Sequence, residues 1–477
     1  MSTASTPTGA LGAAGRRCLW IILGLGLLVR LATLTLPGTG DTQSFQMWGA
    51  LALRTGLLDV YAWKDDEVLG AVWKELKGEK RQQRVIVRDT DLGTCSEIPD
   101  YPPGSILVFE IATGTCRCLQ GGTLRVGSLL NACVNVPPVL FALAAALTLW
   151  FFARRENDSR AVMAVAALWL NPALILTSPI LGYQDPIFAF LGLLALICFY
   201  QRKPTLSMLF LALSCLMKPQ AVFIIPVLAA AFWAEGGWRM LWRSGMQFLL
   251  FLIVLASPYL LSGRLLAPPA VILHNTDCPP ALSAQNPSGW WIAGPVVQAI
   301  TGRTLDPLLG KIGMVSSGEF QAAVGLNPFW LSMPALLVFT ALNLYWLVRH
   351  LRQGNRRAIF WAAALEVYGY TMLALFVHEN HLYAFFVYAA PLLAIARASI
   401  RRTYWALSAV FGLNLYLSVG LGEEMACPKW FRTPQGLDLT IPLAIANMTV
   451  FGLIVLSRDW WFDHAQGSLP KDLPDAG

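Results

Sequence analysis

The chain has 477 residues, 56% of them hydrophobic and only 13% charged, with a formal net charge of +7. Soluble domains average about 25% charged residues, so this composition excludes an ordinary water-soluble enzyme. The basic excess falls in short segments between apolar runs, where it orients a membrane protein, and it gives no case for nucleic-acid binding.

Apolar runs of about 17 to 25 residues, the length needed to cross a hydrocarbon core as a helix, recur along the whole chain, with the fourth to sixth expected spans short. Twelve spans are expected, at 18–36, 124–153, 160–178, 184–200, 204–217, 219–233, 245–262, 329–349, 357–377, 379–397, 403–420 and 439–457. The expected fold is therefore an all-α polytopic membrane protein, one domain over 1–477 with no separate soluble unit. Arg16, Arg17, Arg154, Arg155, Arg160, Arg202, Lys203, Arg239 and Arg243 alternate sides with these spans. Arg349, Arg352, Arg356, Arg357, Arg397, Arg401 and Arg402 continue the pattern, which puts them and both termini on the cytoplasmic side of a plasma (inner) membrane. Arg16-Arg17 ahead of an apolar stretch also fits a cleaved signal peptide, but the first span is long. Arg30 lies close enough to the outer end of that span to snorkel.

Long outer segments are expected at 37–123, 263–328 and 421–438. Asp41 opens the first of them. It is either a solvated loop carboxylate or a functional acid, held at the surface by the amphipathic helix read over 43–61. Residues 64–91 are highly charged, and after Tyr101-Pro102-Pro103 the apolar stretch 104–119 reads as a second interfacial or re-entrant helix. Cys95, Cys116, Cys118, Cys278 and Cys427 lie on the outer side, where disulfides persist, and their pairing stays open.

Further along, Gly182-Tyr183-Gln184-Asp185 forms a tight turn between two spans, with Asp185 either a helix cap or a ligand group ahead of Pro186. Lys218 ends the fifth span before Pro219 and Gln220, and either snorkels or meets a lipid phosphate. Trp290 and Trp291 belong to an aromatic belt or stack on a sugar ring. His378-Glu379-Asn380-His381 is the densest polar cluster in any hairpin, but it lacks an obvious third ligand for a metal. Glu366 sits in apolar surroundings with no partner evident from the sequence. All the segments that bear chemistry thus fall on one face, whereas a carrier would hold its polar groups near mid-membrane.

In order along nearly the whole chain, these segments resemble the GT-C superfamily of membrane glycosyltransferases, which use polyprenyl-phosphate sugars. The resemblance rests on Asp41 at the start of the first outer loop, Tyr101-Pro102-Pro103, and the Gly182 to Asp185 turn, with its spacing shifted from the Gly-Gln-x-Asp of bacterial mannosyltransferase-like members. It rests further on Lys218-Pro219-Gln220-Ala221, Asn286 to Trp291, and His378-Glu379, with Asn380 where a base is usual. The pattern is also similar to the dolichyl-phosphate-glucose glucosyltransferases.

The resemblance implies transfer of a hexose or pentose, with inversion, from a polyprenyl-phosphate sugar to a lipid-linked glycan or glycolipid acceptor. It implies Asp41 as general base, Lys218, His378 and His381 at the donor phosphate, and Tyr101, Gln184, Asp185, Gln220, Trp290, Trp291 and Glu379 around the substrates. No cofactor and no metal are expected, and membrane lipids are the other partners. Two alternatives stand beside this reading: a lipid-linked polysaccharide ligase or polymerase, and a twelve-helix transporter.

Overall fold

In the computed structural model, residues 13–61, 72, 99, 101–155, 158–269, 281–303, 305, 315–394, 398–422, 425–432 and 438–457 are described. The charged stretch 64–91 (Val72 apart), Cys95 and Cys278 lie outside them. The described residues are helical apart from turns and isolated bridges.

The first half contains α1 (Ala13–Thr33), α2 (Gly40–Thr55), α3 (Pro103–Leu119), α4 (Ser128–Ala153), α5 (Asp158–Trp169) and α6 (Pro172–Ile175). A π-turn over Leu176–Ile180 leads to α7 (Asp185–Tyr200) and α8 (Pro204–Met217). A 3₁₀ turn, Pro219–Phe223, then enters α9 (Ile224–Leu255). The second half adds α10 (Gly289–Thr301), α11 (Phe329–Arg352), α12 (Ala358–Leu373), α13 (Tyr383–Leu393), α14 (Ala398–Val419) and α15 (Thr440–Leu456).

A helix falls on every expected span. By length and composition, three segments among the described residues can cross a membrane: Ser128–Ala153, Pro219–Leu255 and Phe329–Arg352. A fourth is added if Asp158–Trp169 and Pro172–Ile180, bent by 44°, count as one span. The apolar helices α7, α8, α12, α13 and α15 are shorter, between 10 and 17 residues. At about 1.5 Å per residue the 16-residue α7 is roughly 24 Å long, less than the hydrocarbon thickness of about 30 Å.

The segments read as spans at 219–233 and 245–262 are two helices within Ile224–Leu255 that meet directly at a two-residue break, Gly236 and Gly237. Gly237, at φ 61°, takes a backbone conformation open to a residue without Cβ, so two residues suffice to redirect the chain. Arg30 does not snorkel. Only 1% exposed, it lies over the Trp169 ring at 3.7 Å and donates to the Trp169 carbonyl at 2.7 Å. That carbonyl ends α5, where no intrahelical donor remains and where a cation is favoured by the helix dipole.

Between buried helices the polar glue is local. Ser207 and Ser214 of α8 donate to the Ala195 and Phe188 carbonyls of α7, each at 2.8 Å, pinning this hairpin at both ends. The amphipathic pair α2 and α3 packs through Phe45 stacked on Phe109 at 4.6 Å. Glu366 has the partners its sequence context hid: Thr340 donates to one of its oxygens and Asn343 to the other, at 2.8 Å.

Candidate functional site

The N-terminal ends of α2 and α7, the C-terminal end of α8 and the turn 374–382 meet at one end of the bundle. Hydrogen bonds bring α2 there. Thr39 donates its backbone N–H and its hydroxyl to the Leu181 carbonyl at 3.2 and 3.3 Å, and the Thr42 hydroxyl joins them at 3.2 Å. Gly182 allows the approach, since it has φ +77° and a Cβ there would collide with the Thr42 hydroxyl.

Asp41 is the second residue of α2, and its side chain is open to solvent. Lys218 and Glu379, which act on it electrostatically, are buried. Burial pushes the Asp41 carboxyl above the ordinary carboxylate range, His378 opposes, Glu379 adds and Lys218 opposes. His378, Glu379 and Lys218 therefore lie within electrostatic reach of Asp41.

Behind it the buried groups are cross-linked. Lys218 and Asp185 form an enclosed ion pair, Nζ to Oδ1 at 2.9 Å, with side chains 4% and 0% exposed. Asn380 donates to the other Asp185 oxygen at 2.8 Å. Lys218 thus does not snorkel, and the Asp185 carboxylate serves Lys218 and Asn380. The Tyr183 hydroxyl donates to Glu379 Oε1. Burial, and after it the charges of Glu379 and Asp41, raise Tyr183 well above the usual phenol value, so it stays a donor. His381 lies between α12 and α13 with its Nε2 3.0 Å from Gln220 Nε2. Burial lowers its pKa well below the usual imidazole value, and Lys218 and His378 lower it further, so it is neutral.

His378 is the exposed member, its side chain 57% accessible and its Nδ1 4.0 Å from Glu379 Oε2. The segment 284–285 bridges to it, with the Ala284 N–H on the Val377 carbonyl at 3.0 Å. Two non-glycine residues with positive φ flank this junction, Gln285 at 65° and Phe376 at 60°, which stores backbone strain there. Tyr101 closes one side, its ring 5.6 Å from Lys218 Nζ.

Five buried polar atoms in this region have no hydrogen-bond partner among the described residues: Gln184 Oε1, Gln220 Oε1, Gln285 Oε1, Glu379 Oε2 and His381 Nδ1. Buried polar groups are ordinarily paired, and such a concentration suits a site that receives a polar ligand. Among the described residues, no three His, Cys, Asp or Glu side chains gather as metal ligands.

Trp290 and Trp291 are engaged elsewhere. Trp290 donates to the Leu373 carbonyl at 2.8 Å, and Trp291 to the Thr440 hydroxyl at 2.9 Å. These bonds tie both indoles to neighbouring helices through their N–H groups. Sequence reasoning passed over Tyr183 and Asn380 as site residues. Both sat inside quoted motifs, but the groups they bind lie 196 and 195 residues away.

No protein-family profile matches the chain. No curated protein matches it. Among solved structures, it is similar to an oligosaccharyltransferase of Archaeoglobus fulgidus, crystallised tethered through a disulfide to an acceptor peptide containing the NVT sequon. The TM-score is 0.39 at 13% identity over 96% of this chain, which spans 60% of that enzyme's length. A score this low assigns neither fold nor function.

Proposed function

We propose that the chain is an inverting membrane glycosyltransferase that moves a hexose or pentose from a polyprenyl-phosphate sugar to a lipid-linked glycan or glycolipid acceptor. On this reading it works at the non-cytoplasmic face of a plasma membrane, with both termini in the cytoplasm. The observation that carries the reading is the pairing of functions at one end of the bundle. An accessible carboxylate with a raised pKa, Asp41, faces an exposed imidazole and an enclosed lysine, amid buried polar atoms without partners. The order of the motifs that resemble the GT-C superfamily supports it independently.

The acceptor hydroxyl attacks the anomeric carbon from the side opposite the donor phosphate. The bond from that carbon to the phosphate oxygen breaks, and the lipid phosphate leaves with the electron pair. Asp41 takes the proton from the acceptor as the new bond forms. Lys218 opposes the charge of the leaving phosphate, and His378 and neutral His381 contribute hydrogen bonds. Asp185 and Asn380 are positioning residues, acting through Lys218. Tyr101, Gln184, Gln220 and Glu379 line the substrates. A phosphate needs no general acid to depart, so one carboxylate in Asp41's place suffices.

The test is transfer by purified protein in detergent from labelled polyprenyl-phosphate mannose, glucose, galactose and arabinose, with a membrane lipid extract as acceptor. Transfer lost in Asp41→Asn supports both the class and the base. Transfer retained in that variant removes the base assignment. No transfer from any monophosphate donor, with transfer from a lipid pyrophosphate, refutes the donor class.

A further inference from the structure

The same helices that end at the candidate site begin or end, on the opposite side of the bundle, around a second feature. A cavity of about 610 Å³ opens between the α7–α8 turn, the middle of α9 and the α11–α12 turn. Along the 16 residues of α7 this is roughly 24 Å from Asp185, so it is not part of the first site.

Its lining has one charge character. Arg202, Arg352 and Arg356 face a single acid, Glu235. Arg356 is committed: Nη1 meets Glu235 at 2.6 Å and Nη2 the Phe199 carbonyl at 2.5 Å, while its buried Nε has no partner among the described residues. Burial lowers the Arg356 pKa, Glu235 opposes and the like charge of Arg202 adds to the lowering, so these groups share one field. Arg202 and Arg352 form no ion pair among the described residues. Arg352 lies 4.9 Å over the Trp233 ring. Arg202 is held at φ 60°, a conformation unfavourable for a side chain with Cβ, which fixes it in the turn between two helices.

The other walls are apolar, formed by Phe199, Phe232, Met240 and Leu351. Just past the break at Gly236-Gly237, Trp238 and Trp242 are exposed at 68% and 67%, the placement of interfacial anchors. Three guanidiniums sharing one carboxylate, beside apolar walls and near exposed tryptophans, suit a phosphate that arrives attached to a lipid.

We propose that this cavity binds the phosphate headgroup of an anionic phospholipid, with Arg202 and Arg352 contacting the phosphate and Arg356, paired with Glu235, fixing the floor. Basic pockets between membrane helices take lipid headgroups through this combination of charge and apolar contact.

The experiment uses the full chain, purified in detergent and exposed in turn to phosphatidylglycerol, phosphatidylcholine and soluble glycerol 1-phosphate. Bound molecules are counted by native mass spectrometry. Phosphatidylglycerol is expected to remain bound, and the double exchange Arg202→Gln with Arg352→Gln to weaken it by about tenfold or more. Equal retention of phosphatidylcholine, equal binding of glycerol 1-phosphate, or an unchanged double variant would each overturn the proposal. The unmutated protein provides a second measurement that does not depend on the variant folding. Phosphatidylglycerol should slow phenylglyoxal modification of Arg202, and an unchanged rate would also overturn the assignment.

Discussion

Replacing Lys218 with methionine leaves Asp185 fully enclosed, with Asn380 as its remaining side-chain donor at 2.8 Å. The lost partner is a cation 2.9 Å away with a side chain only 4% exposed, so water cannot replace it without opening the bundle end. Removing one member of a buried ion pair costs about 3–5 kcal/mol, mostly because the other charge is stranded. Adding Asp185→Asn removes the stranded charge and keeps an amide beside Asn380. The double variant should therefore be more stable than Lys218→Met alone, with a coupling of roughly 2–3 kcal/mol in a double-mutant cycle. Thermal unfolding of the parent, both single variants and the double variant in one detergent measures this. Transfer assayed on the same samples separates stability from chemistry, because the double variant regains stability without regaining the cation. Additive losses, or a Lys218→Met protein as stable as the parent, would refute the reasoning.

Asp41→Asn should lower transfer by about 10²–10⁴-fold, the usual contribution of a general base. Its unfolding temperature should hardly move, since the side chain is exposed. Ionised Asp41 is the working form and its pKa is raised, so kcat/KM should fall as pH drops through a value above 3.8. Glu379→Gln removes a charge that raises Asp41, so the acid limb of the kcat/KM profile should move to lower pH. A limb that stays put would detach Glu379 from Asp41. Gly182→Ala should cost about 1–2 kcal/mol for its positive φ alone, more with the Thr42 collision, and reduce transfer by displacing α2. Arg30→Leu should destabilise by about 1–3 kcal/mol by leaving the buried Trp169 carbonyl without its donor, read as a lower unfolding temperature.

Hydrophobic length and proline placement made the helices legible. The apolar run 204–217 coincides with α8, bounded by Pro204 and the Lys218-Pro219 break. The tightness of the break inside 224–255 was hidden, because two glycines between apolar runs do not say how short the connection is. At the site, the residue types were readable but their pairings were not. Lys218 met Asp185 across 33 residues, Tyr183 met Glu379 across 196, and no local pattern records such contacts. Arg30 misled for the same reason: its partner, the end of α5, is distant in sequence.

The turn 374–382 has a consequence for tolerance to changes in chain length. Its successive residues each reach a different part of the protein: His378 the segment 284–285, Glu379 the turn before α7, Asn380 the first residue of α7, and His381 the 3₁₀ turn after α8. A substitution there cuts one tie, but one residue inserted or deleted shifts all four out of register together. Divergent relatives should therefore vary in composition at this turn while keeping its length.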